Sequence, residues 1–135
     1  MQNNLTVGVI GSAIHAPGHA NRRSLEEALY GVTRSALRDA GISIDDIDGI
    51  VVAGNDQLDG RAISVMAASG SVGGVGRDIL STPSAAEHAF VLATLRILSG
   101  QFRTQLVVSW SPTEVTSVSD ALHLATDPYF HRALP

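Results

Sequence analysis

The sequence predicts an α/β fold: a mostly parallel sheet that contains a βαβ unit and carries a central buried helix. Three observations lead there. Apolar runs at residues 5–11, 47–55 and 104–111 have the length and character of strands buried on both faces. Between the first two lies a segment with helix caps at both ends and an apolar stripe. A further segment, residues 85–98, is apolar on nearly every side, which predicts a helix buried on nearly every side.

The first run, LTVGVIG at 5–11, ends in glycine and reads as a strand of a parallel sheet. Residues 12–23 hold Pro17, Gly18, Asn21 and two histidines, and read as a loop. Ser24 and Glu27 then form an S-x-x-E capping box at the head of SLEEALYGVTRSALRDAG. Leu25, Ala28, Leu29, Val32, Ala36 and Ala40 recur at helical spacing, and Gly41 stands where a helix-ending glycine belongs. The run IDGIVVAGN is the second strand. Strand, helix and strand in this order make a right-handed βαβ unit. GRAISVMAASG reads as a short helix, SGSVGGVG as a glycine-rich connection and RDIL as a brief third strand. Gly100 ends the long apolar helix, and TQLVVSWS at 104–111 is a further strand. Beyond it come a short amphipathic patch, VSDALHLA, and the loop-like DPYFHRALP, which do not close a domain. The expected organisation is an α/β module over 1–111 and a partial cap or loop segment over 112–135.

One domain, or one piece of a larger one, fits 135 residues. The chain is 44% apolar and 16% charged, against about a quarter charged in an ordinary soluble domain. With a mean hydropathy of +0.18, surplus apolar surface is expected, and a subunit interface is its natural destination. A net charge of −4 without a basic block argues against nucleic acid as a partner. The absence of cysteine excludes disulfides and thiolate metal sites. No apolar stretch reaches the roughly 18 residues of a membrane span. The N-terminus lacks the basic region of a signal peptide, so a cytoplasmic location is expected.

Several polar patterns invite chemistry and are better read as structure. GSVGGVG fails the dinucleotide fingerprint, because no convincing strand precedes the glycines and no helix starts after them. His15 and His19 are four apart, but Pro17 and Gly18 between them place both on a loop, with no third ligand evident. Asp45, Asp46, Asp48, Asp56 and Asp59 lack calcium-loop spacing and read as turn and cap residues. For His123 and His131 the sequence decides no role. At the head of the long helix, Ser84 and Glu87 form a second S-x-x-E pair; alternatively Thr82 is the cap and Pro83 the first helical residue. His88, one turn after Ser84, reads as a core histidine bonded to a backbone carbonyl or a partner subunit, with a base for that serine as the alternative. Trp110 reads as a partner contact, because aromatic residues are enriched at interfaces.

The element order resembles the N-terminal half of the thiolase fold, and most nearly the sterol-carrier-protein type of thiolase. VIGSAIHAPG looks like that family's opening strand and loop. SLEEALYGVTRSALRDAGISIDDIDGIVVAGND is similar to its first helix and second strand, including the D-I-D-G turn. ATLRILSGQFRTQLVVSW resembles its I-x-S-G helix end and following strand, and DPYFHRALP the start of its cap region. The resemblance implies a thiolase-like half-fold, with 1–111 as the thiolase-like module.

Thiolases make or break a carbon–carbon bond between acyl-CoA units, using a cysteine that opens the central helix. A helix N-terminus suits a thiolate, because its unpaired N–H groups and partial positive charge stabilise the anion. The family's spacing back from Ser99 and Gly100 puts that position at Pro83, or at Ser84 if shifted by one. Proline has no nucleophile, and an unassisted serine hydroxyl is a weak one. The resemblance therefore implies a cysteine-free, non-catalytic small subunit of a heteromeric thiolase-like acyl-CoA acyltransferase of lipid metabolism. No catalytic residue is identifiable on this chain; Ser81, Thr82, Ser84 and His88 are the substrate-lining candidates. Acyl-CoA or CoA is the substrate of the complex, with no covalently bound cofactor and no metal. The expected partner is a thiolase-type chain supplying the C-terminal half or a full active site in a hetero-oligomer. Two alternatives stand beside this: a structural or regulatory partner of a thiolase or ketosynthase without chemistry of its own, and a serine acyltransferase or hydrolase using Ser84. The latter lacks a G-x-S-x-G elbow.

Overall fold

The computed structural model describes residues 6–16, 23–56, 63–83 and 85–111. Helix α1, Leu25–Ala40, starts and stops on local chemistry. The Ser24 hydroxyl accepts from the Glu27 N–H at 3.2 Å, and the Glu27 carboxylate accepts from the Ser24 N–H at 3.0 Å. Glu26 and Glu27 oppose the positive end of the helix dipole and Arg38 its negative end. Gly41 turns into the left-handed region at φ 68°, and its N–H returns to the carbonyls of Leu37 and Arg38. A 3-10 turn, Ile44–Asp46, follows, closed by its own Ser43–Asp46 box.

Three strands and two further helices complete the described chain: β1 (Gly49–Ala53), α2 (Ser64–Ser71), β2 (Asp78–Thr82), α3 (Ala86–Leu98) and β3 (Gln105–Ser109). The strand order is β2-β1-β3, and both pairings are parallel. Val51 stands opposite Leu80 on one side and Val107 on the other. Alternating residues of β1 serve different layers. Ile50 and Val52 pack with Leu29, Ala68, Val72, Leu106 and Val108 on the α1 and α2 side. Val51 and Ala53 pack with Ala89 and Ala93 on the α3 side. This double burial is why GIVVA carries no polar side chain.

Arginines staple the connections at the amino ends of the strands. Arg77 donates to the carbonyls of Ile47 and Gly73 and pairs with Asp45 at 2.9 Å. Arg96 pairs with Asp78 and lies 4.0 Å from the centroid of the Phe102 ring. Asp48 accepts from the N–H groups of Arg103 and Thr104, which aims the chain into β3.

The structure corrects two expectations. Residues 6–11 form no strand; Val9 and Ile10 are 68% and 61% exposed. The Ser12 N–H instead donates to Asp39 at 2.9 Å, and Gly11 lies against Ala36 and Ala40 of α1. The βαβ unit expected from that run and β1 is therefore absent among the described residues; the parallel crossovers are β1–α2–β2 and β2–α3–β3. Second, α3 is buried on one side only. Ala89 and Ala93 face the sheet, while Phe90, Val91, Leu95 and Leu98 are exposed. No other described layer lies on that side of the helix.

Candidate functional site at the strand ends

Because β1, β2 and β3 run parallel, their carboxyl ends share one edge: Gly54 and Asn55, Thr82 and Pro83, and Trp110. The connection leaving β1 runs through α2 on one face, and the one leaving β2 runs through α3 on the other. Neighbouring strands whose connections leave to opposite faces form a crevice at their carboxyl ends, the preferred ligand position of open α/β sheets. The Gly54 N–H donates to the Thr82 carbonyl at 3.3 Å, closing the floor of this crevice.

Ser81, Thr82 and Pro83 stand at this edge. Ser81 is exposed and Thr82 partly buried, and Thr82 is the last residue of β2 rather than a helix cap. Its pairing with Ala53 extends the strand past the predicted RDIL. Pro83 lies in a bend before the cap, not in the first helical position. The cap of α3 is Ala85, which has no side-chain oxygen to offer. Ser84, and with it the Ser84–Glu87 box, lies outside the described residues. His88 is exposed in the first turn of α3 and is not a core histidine, because that position faces away from the sheet. Among the described residues neither Ser81 nor Thr82 has a hydrogen-bonded base.

Around the crevice, Asp56 accepts from the Ser64 hydroxyl and, at 3.0 Å, from the Ser64 N–H. It thereby caps the head of α2, where Ile63 occupies the cap position. The Ser64 hydroxyl, and secondarily its N–H, holds the Asp56 carboxyl below the usual carboxylate range. Ser43, through its N–H first and its hydroxyl second, does the same for Asp46. The aspartates of this region are cap and turn residues, as their spacing predicted; Asp59 lies outside the described residues. No pattern along the chain signals the Asp56–Ser64 pair, which forms across eight positions.

Trp110 follows β3, and its backbone N–H donates to Ala53 at 3.2 Å. Its indole lies over Gly54: a Cβ at that glycine would meet the ring at 2.3 Å. The side chain is partly buried and packs on the hydrophobic cluster of the α1 and α2 side. Its indole N–H is buried and has no acceptor among the described residues. His15 is exposed, and His19, His123, His131 and the segment 112–135 lie outside the described residues. Among the described residues no group of three acidic, histidine or cysteine side chains could hold a metal, and no helix is long and apolar enough to cross a membrane. A groove of about 410 Å³ between α1 and α2, lined by Tyr30, Thr33, Leu37 and Ile44 among others, includes none of the strand-end residues.

No protein-family profile matches the chain, and no curated protein matches it. Among solved structures it is similar to 3-oxoacyl-[acyl-carrier-protein] synthase III from Aquifex aeolicus VF5, with a TM-score of 0.52 and 21% identity. The chain has a thiolase-like half-fold. The similarity covers 67% of this chain and 30% of the synthase, so the chain spans under a third of that protein's length.

Proposed function

We propose that this chain is a small subunit of a heteromeric thiolase-like acyltransferase acting on acyl-CoA, and that it supplies scaffold rather than nucleophile. The observation that carries this reading is the bare side of α3. Phe90, Val91, Leu95 and Leu98 are 51%, 54%, 56% and 40% exposed on a helix whose other side already packs on β1 and β3. A helix apolar on both sides belongs between two layers, and only one is present among the described residues. The outer edges of β2 and β3 carry no further described strand, which leaves room for added sheet from the same companion.

The chemistry falls to that companion for a simple reason. The position that the thiolase resemblance assigns to the nucleophile is Pro83, and the chain has no cysteine. A thiolase-type partner supplies the thiolate and the acid–base groups, and Ser81 and Thr82 line the acyl-CoA path at the shared edge. On this reading the complex works in cytoplasmic lipid metabolism. The test reconstitutes this chain with a thiolase-type chain encoded beside it and follows acyl-CoA condensation and thiolysis. The chain alone should be inert and self-associated, and the complex active. An active, solitary monomer overturns the proposal; a companion fully active alone reduces this chain to a regulatory role.

A further inference from the structure

We infer that Trp110 is a plug: its indole covers the carboxyl end of β1 on the α1 and α2 side and bars an acyl chain from that side of the sheet. The register pairs Ala53 with Ser109, so Gly54 and Trp110 are the next residues across from one another. A Cβ at Gly54 would lie 2.3 Å from Cζ2, 2.6 Å from Cε2 and 2.9 Å from Cη2 of the indole. The ring therefore occupies the space that the first side-chain atom of any other residue would need. It is partly buried and packs against the hydrophobic cluster on the α1 and α2 side.

Two features point to bulk as the purpose of this side chain. Buried tryptophans usually pair their N–H, yet this indole nitrogen is buried with no acceptor among the described residues. The ring also stands at the edge where parallel sheets receive ligands, and the largest side chain takes the volume there. An aromatic ring over a cross-strand glycine also stabilises a sheet. That packing role alone predicts nothing about acyl ligands, and so the two can be separated.

The choice of probe rests on the acyl-thioester reading, but the contact lies within one chain, on the opposite face from the bare side of α3. A failure of the heteromer therefore leaves the measurement intact. Trp110 is the only tryptophan, so intrinsic fluorescence reports the plug directly. Butyryl-pantetheine and indole are titrated calorimetrically against the full-length chain and against Trp110→Gly, which has no tryptophan, and the wild type is also followed by its emission. The wild-type emission should not respond to either probe, and Trp110→Gly should bind both at least about tenfold more tightly than wild type. Binding of indole without the thioester shows a mere packing cavity and overturns the inference, as does binding of neither by a folded variant. A wild-type emission shift with butyryl-pantetheine overturns it equally. If Trp110→Gly does not fold, Trp110→Val, which keeps apolar packing, carries the same comparison.

Discussion

Replacing Val91 and Leu95 together by serine tests whether the outer side of α3 is an interface. Burying a valine or leucine side chain fully is worth about 1.5–3 kcal/mol. Each of these two is still a little over half exposed, at 54% and 56%. A companion that covers them therefore gains about 1 kcal/mol from each, and the double change should weaken association by about 2 kcal/mol, roughly thirtyfold. The half already buried against the chain implies a comparable loss of fold stability. A control with that loss alone is needed, and the inner side of the same helix provides it. Ala93 is 3% exposed against the sheet, so Ala93→Val overpacks the core at about 1–3 kcal/mol without touching the outer side. Sedimentation equilibrium of the full chain, and calorimetric titration with the companion, give the association constants; urea midpoints give the stabilities. The double serine variant should lose both quantities and Ala93→Val only stability. Equal weakening of association by both variants would show that association merely follows folding, and the interface reading would fall.

Ser24→Ala removes the capping box of α1 and should cost about 1 kcal/mol in urea unfolding, with the loss confined to stability. Gly11→Ala would place a Cβ 2.6 Å from the Ala40 nitrogen and 2.8 Å from the Ala36 carbonyl; residues 6–16 should lift from α1, read as faster exchange of the Ser12 amide. Asp56 stabilises the head of α2 as a carboxylate with a lowered pKa, so its contribution is complete above the ordinary aspartate range and fades as pH falls through the lower folded value. The stability gap between wild type and Asp56→Asn should accordingly close in acid, and a gap that persists there refutes the carboxylate cap. Pro83→Cys installs a thiol in the bend ahead of the Ala85 cap rather than on the first turn of α3; alkylation should titrate near the ordinary thiol value of about 8.5 and no thiolysis should appear.

Where the sequence was legible, the deciding residues sit within one element. Ser24, Glu27 and Gly41 settle both ends of α1 through bonds spanning three or four residues. The apolar run 49–53 announces its own double burial. Where it was not, the decision came from far along the chain. Thr82, Pro83 and Ser84 offered competing starts for α3, and the choice was made by the ladder to β1, which holds Thr82 opposite Ala53 as strand. The run at 5–11 has strand composition, but composition does not say whether a sheet edge is within reach; Gly11 found Ala40 instead. Trp110 and Gly54 meet only once register is fixed. The absence of cysteine is plain along the chain, while the strand-end crevice depends on which face each connection takes.

Nothing that holds the turn after β2 depends on a thiol. Thr82 is fixed by the ladder, and its carbonyl by the Gly54 N–H. The helix after the turn is fixed by Ala89 and Ala93 against Val51 and Ala53. Two alanines at this contact let the helix backbone come close to the sheet, and larger residues there would force it away. Small side chains inside mean that most of the bulk of α3 has to lie elsewhere, and Phe90, Val91, Leu95 and Leu98 carry it on the outer side. For a helix on the surface of a solitary domain this distribution is inverted, since its stripe of large apolar residues should face the core. It fits a helix held between two layers, one close and supplied by this chain, the other packed on the bulky side and supplied by a companion.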